Sequence, residues 1–330
     1  MDTGRPRAAR PSLRGGVMSK IAVVTGASGC VGGAVSRALV AGGWSVRHLT
    51  RTPGPGHVGD LGDPASLRGL CSGADLVVHA GANLSDWRAG QEIWRVNRDG
   101  TLALLDEAAR AGVSRFVYVS TVDVFGFRIR GTIDEDSPRL CPPYAYSLSK
   151  LAGEEAALAA DLPVTVIYPT WVFGPGDRHL MPELTKALRA GAMTNIDRGR
   201  AHLELTYSEN LASAIVLAAA HPPGRYIVGD SYGVTFGDFL SLVATRLGVP
   251  APRRSVPYPV AFTAAAMAEL GATLLRRAER PTLTRYAVGS AAGGMRYDLS
   301  AIRGLGYTPR VDLDTALDRA LGLAPSTSAG

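Results

Sequence analysis

One glycine-punctuated turn constrains this chain more than any other feature. The segment TGASGCVG, Thr25 to Gly32, joins an apolar run (Ile21–Thr25) to a helical stretch (Cys30–Ala41) that closes on Gly42–Gly43. Glycines at 26, 29 and 32 let the backbone turn tightly and approach a pyrophosphate at the positive end of a helix. Glycines alone mark many kinds of turn. Here strand, glycine turn, helix and a second strand (46–50) arrive in order, which is the signature of a dinucleotide site. Gly26, Ser28, Gly29, Cys30, Val31 and Gly32 are its expected contacts.

The alternation continues. Runs at 75–79, 116–120 and 164–168 read as further strands, and 99–111 (DGTLALLDEAARA) reads as a helix ending at Gly112. Such a pattern predicts right-handed βαβ crossovers and a doubly wound parallel sheet with ligands at the carboxyl ends of its strands. Beyond Gly174 the helices shorten and Pro and Gly increase, as in a smaller C-terminal α/β substrate-binding domain. The segment 205–228, a helix followed by the strand RYIV, reads as a return to the main sheet. The expected division is therefore 18–180 plus about 205–230 for the cofactor, and 181–204 plus 231–330 for the substrate.

Hydrophobic residues make up 46% of the 330 and charged residues 19%, a globular balance that supports a core. The net charge of +6 is dispersed, with no basic block interleaved with aromatics, so nucleic acid is not the expected partner. Cys30, Cys71 and Cys141 are too few and scattered for a disulfide framework, and no CxxC pair suggests a metal; a reducing cytoplasm fits. Residues 1–17 carry four Arg and no apolar run, which reads as a disordered leader or as a start codon placed ahead of Met18. The apolar stretch 259–275 is shorter than a membrane span and is expected as a helix over the substrate pocket, with a surface-lying membrane helix as the alternative.

The end of the second strand selects the cofactor. An NAD enzyme places an acid there to hold the ribose hydroxyls. This chain has Thr50 and then Arg51, whose guanidinium can pair with a 2′-phosphate, so NADP(H) is expected over NAD(H). Asp60 and Leu61 fall where such folds meet the adenine, and Ala80, Gly81 and Ala82 let the third strand's end pass close to the cofactor. Tyr168, Pro169 and Val172 are assigned to the same ligand.

Tyr146 and Lys150 stand four apart in YSLSK and so share a helix face. A tyrosine near pKa 10 is a poor acid–base group at neutral pH. A nearby ammonium is expected to lower that value, and the lysine can also hold the nicotinamide ribose. Ser120 and Thr121 end the strand before them, where a hydroxyl can polarise a carbonyl.

Together these motifs resemble the extended short-chain dehydrogenases/reductases. The likeness rests on TGxxGxxG, on Asn97 in VNRDGT, on the strand-end Ser/Thr and on YxxxK. It continues through YPTWVFGPGD (168–177), LTYSENLASAI (205–215) and YDLSAIRGLGYTPR (297–310), and covers about 20–323. It implies Tyr146 as the acid–base, Lys150 as its partner, Thr121 as the substrate-oxygen ligand with Ser120 in reserve, and Asn97 in a proton relay. Members often dimerise through two helices of the cofactor domain, so a homodimer stands beside a monomer.

Nucleotide-sugar members carry an Asn where this chain has Trp171 and an Arg near Leu203; two apolar residues argue against a pyrophosphate ligand, though Arg198 and Arg200 lie close by. Dehydratases use an Asp–Glu pair after the threonine, and Val122–Asp123 keeps only the second acid. What remains resembles the 3β-hydroxysteroid dehydrogenase-like and dihydroflavonol-reductase-like branch. A ketoreductase or alcohol dehydrogenase on an apolar or secondary-metabolite carbonyl is the expected activity. A nucleotide-sugar epimerase and a non-catalytic NADP(H) sensor are the alternatives. Trp87, Asp123, Phe127, Trp171, Phe173 and Tyr207 are the candidates for the substrate pocket.

Overall fold

The computed structural model describes residues 20–85, 87, 90–277 and 279–324; the expected leader and Met18 lie outside them. Seven parallel strands build the main sheet: β1 (Ile21–Thr25), β2 (Ser45–Thr50), β3 (His57–Val58), β4 (Leu76–His79), β5 (Arg115–Val119), β6 (Val164–Pro169) and β7 (Arg225–Val228). Their order is β7-β6-β5-β4-β1-β2-β3, so the chain winds outward in both directions from β1 and β4. All four residues of β4 and all six of β6 are buried. A parallel strand covered on both faces needs such a run, because no side of it meets water.

The helices cover the two faces. They are α1 (Cys30–Ala41), α2 (Gly90–Trp94), α3 (Gly100–Arg110), α4 (Ala145–Ala159), α5 (Leu180–Arg189), α6 (Ser208–Ala219), α7 (Phe236–Leu247), α8 (Tyr258–Leu274) and α9 (Arg285–Ala291). Between α2 and α3 the turns Arg95–Asp99 are π-helical, so 90–110 is one continuous helical run that begins nine residues before the expected 99. Gly100 explains why that run passes so close to the sheet. A Cβ there would overlap the Leu61 backbone.

The main core gathers Val23, Val24, Val35, Leu39, Val77, Phe116, Ile167 and Ile215 around the sheet. A second cluster, with Phe173, Leu184, Leu203, Tyr207, Phe239 and Leu317, lies among α5, α7 and the C-terminal segment. A third, with Ile196, Ala261, Ala265, Val288 and Ala292, lies beneath α8.

Buried Asp230 stitches these parts together. Its carboxylate accepts from the Tyr207 N–H (2.7 Å), from Asn210 Nδ2 (2.9 Å) and from the Tyr307 hydroxyl (2.6 Å). Asn210 in turn accepts from the backbone N–H groups of Arg310 and Val311, which ties the C-terminal segment to α6. Asp230→Ala would orphan two buried donors, the Tyr207 N–H and the Tyr307 hydroxyl, and should lower the free energy of unfolding by about 3 kcal/mol in urea titration; a loss below about 1 kcal/mol would show that water replaces the carboxylate.

Candidate active site

The glycine turn is built as its residues require. Gly26 adopts φ +71, in the left-handed region, and a Cβ on it would meet the Gly81 backbone at 2.8 Å. A Cβ on Gly32 would overlap the Gly26 carbonyl. The turn thus lies against the end of β4, where the Gly81 N–H donates to Thr25 Oγ1 at 3.0 Å. Helix α1 opens on Gly29 with no side-chain cap and no acid in its first turn. Its free N–H groups and positive end form a cradle for a phosphate. The residues present fit a dinucleotide.

Around that cradle, Ser28 is exposed and Cys30 and Val31 are partly exposed, with burial pushing the Cys30 thiol up to about 11. Arg51 is exposed just past β2, and no described residue bonds its guanidinium. Asp60 is partly committed, since its Oδ1 accepts from the Gly62 N–H at 2.7 Å. Leu61 is buried, and its Cδ1 stands 3.0 Å from where a Gly81 Cβ would be. Ala80 and Ala82 remain partly exposed beside it. Arg178 was not singled out from sequence. It donates to the Ser28 carbonyl at 3.1 Å, which brings a second guanidinium to the glycine turn from 150 residues away.

Tyr146 and Lys150 lie in the first half of α4, which packs on the end of β5. The Tyr118 hydroxyl donates to the Lys150 carbonyl at 2.9 Å, and Lys150 Nζ donates to the Val119 carbonyl at 2.7 Å and lies 4.2 Å from the Tyr118 ring centroid. Burial pushes the Lys150 ammonium down to about 7, against the opposing pull of Glu154. Thr121 caps the short turn Val122–Phe125, accepting from the Asp123 N–H at 3.2 Å. Ser120, the reserve hydroxyl, points the other way. It donates to the buried Glu154 at 2.7 Å and is not available to a ligand beside Tyr146.

The expectation that Lys150 lowers the Tyr146 pKa is not what these residues produce. Burial pushes the phenol up, the Asp123 charge adds to that shift, and the nearby Thr121 hydroxyl only partly opposes it. Lys150 Nζ is engaged by Val119 instead, so desolvation dominates and the phenol is held neutral.

Asn97 lies in the π turn and is buried. Its Nδ2 donates to the Asn83 carbonyl (2.9 Å) and to Ser149 Oγ (3.0 Å), while its Oδ1 accepts from the Asn83 N–H (2.7 Å). Ser149 Oγ donates to the Tyr146 carbonyl at 2.9 Å. Both amide hydrogens are committed, so the side chain fixes α4 to the loop after β4.

Asp123 faces the same pocket and is buried. The Tyr286 hydroxyl of α9 donates to it at 2.7 Å, and burial raises its carboxyl from 3.8 to about 6. The Tyr286 ring packs on Phe127, Tyr144 and Tyr146, with centroids 5.7, 5.4 and 6.4 Å away, and forms an aromatic wall beside the phenol. Tyr144 and Tyr286 were not predicted, because nothing local in sequence links a helix near 286 to the segment at 123.

Other expected contacts are placed elsewhere. Phe173 and Tyr207 are fully buried against each other and Phe239, in the second cluster, where no ligand reaches them. Trp171 packs its ring on Phe236 at 6.0 Å. The Tyr168 hydroxyl is taken up by Glu154 and Arg139 in the core, so only its backbone is left for a cofactor. Pro169 is buried at the end of β6, whereas Val172 is partly exposed. Trp87 lies in the loop after β4, where Ser85 Oγ donates to its carbonyl at 2.9 Å. Leu203 is buried in the second cluster, while Arg198 and Arg200 are exposed on a cleft of about 410 Å³ with Asp197, Ser255 and Pro257. Among the described residues no group of three His, Cys, Asp or Glu could hold a metal ion.

A parallel sheet with this glycine turn, and with a tyrosine–lysine helix at the carboxyl ends of its strands, defines a dinucleotide-dependent oxidoreductase of the doubly wound class. Residues 22–229 match the NAD dependent epimerase/dehydratase family, and the chain belongs to that family. It is 29% identical over 322 residues to 2-alkyl-3-oxoalkanoate reductase of Stenotrophomonas maltophilia, covering 90% of this chain and 97% of the relative. It is 32% identical over 314 residues to 4-hydroxy-2-methyl-3-oxo-4-farnesyl-3,4-dihydroquinoline-1-oxide ketoreductase of Stigmatella aurantiaca, covering 89% and 94%. The crystal structure of gox2253 superposes with a TM-score of 0.73 at 25% identity, covering 92% of this chain and 97% of that one.

The Asp123 carboxyl makes a measurable demand on stability. The folded group titrates near 6 and the unfolded one near 3.8, so the folded state holds the proton more tightly. The stability this group contributes is full below about pH 4 and is lost as pH rises through about 6. The free energy of unfolding of the wild type in urea titration should therefore fall relative to Asp123→Asn across that window, by on the order of 3 kcal/mol at most. Parallel profiles for the two proteins would mean that the carboxyl is solvated.

Proposed function

We propose that the chain is an NADP(H)-dependent ketoreductase or alcohol dehydrogenase acting on an apolar, secondary-metabolite carbonyl. The observation that carries this reading is an aromatic wall of Phe127, Tyr144 and Tyr286 packed against the Tyr146 ring, whose phenol burial keeps neutral. The names of the two reductase relatives support it. So does the burial of apolar Leu203 near the position where a sugar pyrophosphate would need a cation.

A nicotinamide cofactor held at the glycine turn would supply hydride chemistry to the carbonyl carbon in the reductive direction. Thr121 holds the substrate oxygen, and Tyr146, kept protonated by burial, gives its proton to that oxygen as negative charge develops. Lys150, one turn further along the same helix face, holds the nicotinamide ribose. Asn97 positions α4 through Ser149. The aromatic wall excludes water from the reacting oxygen. Residues 18–180 with about 205–230 hold the cofactor, with Arg51 on the 2′-phosphate, and the remaining C-terminal residues hold the substrate. A nucleotide-sugar substrate is the competing reading, favoured by exposed Arg198 and Arg200 on their cleft.

NADPH oxidation with a panel of apolar ketones, set against nucleotide-sugars, separates the two. Turnover of ketones, faster with NADPH than with NADH, is expected; conversion of a nucleotide-sugar with no ketone turned over would overturn the proposal. Tyr146→Phe should lower kcat by at least ~100-fold and leave the NADPH dissociation constant within about threefold. Arg51→Ala should weaken NADPH by roughly 10-fold or more and NADH by less than about twofold, read by fluorescence titration. Equal losses for both cofactors would remove Arg51 from the 2′-phosphate.

A further inference from the structure

Helix α8 has a small-residue inner face and an apolar outer face that no described residue covers. Ala261 and Ala265 are buried against Ile196, Val288 and Ala292. Outward, Val260, Met267, Leu270 and Leu274 are 56%, 63%, 51% and 74% exposed, and Leu275 follows at 66%. Positions 260, 267 and 274 recur every seven residues and 270 lies three past 267, so they form one stripe along a helix of 17 residues, about 25 Å long. An unbroken apolar stripe of that length is unusual on a surface that meets only water.

The charges around the stripe identify what covers it. The only charged residue within α8 is Glu269, which is turned from the stripe and neutralised by Arg285 at 2.6 Å. Exposed arginines flank both ends: Arg253 and Arg254 ahead of α8, Arg276 and Arg277 after it. Among the described residues none of these four has an acidic partner. A second copy of this chain is a poor occupant. Side-by-side pairing of two such helices in register, parallel or antiparallel, sets an arginine pair against an arginine pair, and like charges across an interface cost several kcal/mol. An anionic lipid surface answers both features, since acyl chains take the stripe and headgroups take the guanidinium pairs. Among the described residues no helix is long and apolar enough to cross a membrane, so α8 would lie in the interface.

We propose that α8, with the arginine pairs at its ends, is an interfacial helix that docks this protein on an anionic bilayer surface. The site is coupled to that surface through one packing layer. Helix α9 packs on α8 and carries Tyr286 to Asp123 in the catalytic pocket, so the docking face is one helix removed from the proposed substrate site. The inference reads lipid binding and not turnover, so it stands or falls apart from the substrate assignment.

The test is co-sedimentation of the full chain with vesicles of phosphatidylcholine alone and of phosphatidylcholine with phosphatidylglycerol, at low and high salt. Binding to the anionic vesicles that weakens with salt is expected. Met267→Glu with Leu274→Glu should lower the partition constant by at least ~10-fold, with the thermal midpoint preserved because both side chains are exposed. Arg276→Ser with Arg277→Ser should lower it on the order of 10-fold on anionic vesicles and leave neutral ones nearly unchanged. Three results would overturn the proposal. One is no binding to the anionic vesicles; another is undiminished binding of the Met267→Glu, Leu274→Glu variant. The third is a lipid-free dimer, seen by ultracentrifugation, which that variant dissociates.

Discussion

The attachment of α4 to the end of β5 is the interaction on which the site depends. Tyr118 grips the Lys150 carbonyl, Lys150 grips the Val119 carbonyl, and Ser120 grips Glu154. Glu154 also accepts from Tyr168 (2.7 Å) and from Arg139 (3.1 Å), so the next strand and the loop before α4 share the anchor. Gly153 shows how close the contact is, because a Cβ there would meet the Asn97 carbonyl at 2.7 Å. Every member of this network is buried or nearly so, and a buried polar network is stable only when its groups are satisfied together. That shared requirement fixes the phenol of Tyr146 next to Thr121.

Burial then sets the chemistry of the fixed groups. The same desolvation that raises Tyr146 raises Asp123 to about 6 and lowers Lys150 to about 7, so acid, base and ammonium all move toward their neutral forms. His79 behaves alike at the back of the site. It is held by Thr25 (2.7 Å) and Thr101 (2.9 Å), and burial lowers it to about 3, so it stays neutral and ties β4 to β1 and α3. A desolvated pocket against an aromatic wall favours an apolar ligand, which agrees with the Trp171 and Leu203 replacements.

The C-terminal elements complete that pocket from a distance. Helix α9 delivers Tyr286 across 163 residues to Asp123, and α8 packs on α9 while turning its apolar outer face away. The same pair of helices therefore forms part of the pocket wall and part of the outer surface. Their inner contacts are made by alanines, so the helices approach each other closely and leave the larger side chains for the outside.

Much of this was legible from local pattern. The glycine turn, the bounds of α1, the strand runs and the Tyr146–Lys150 spacing all follow from rules that act within a few residues: steric freedom at glycine, the period of a helix, the burial of a parallel strand. The family could be read from the same motifs. Only the tertiary structure showed why Ser120 stays in reserve, because Ser120 and Thr121 are chemically alike and differ in the partner the fold brings to them, buried Glu154 for Ser120 and the Asp123 N–H for Thr121. It also decided that Phe173 and Tyr207 are core, that Tyr286 and Arg178 belong to the site, and that the Tyr146 phenol is neutral. Each of these depends on segments far apart in the chain and on the water their packing removes, and neither is written in local sequence.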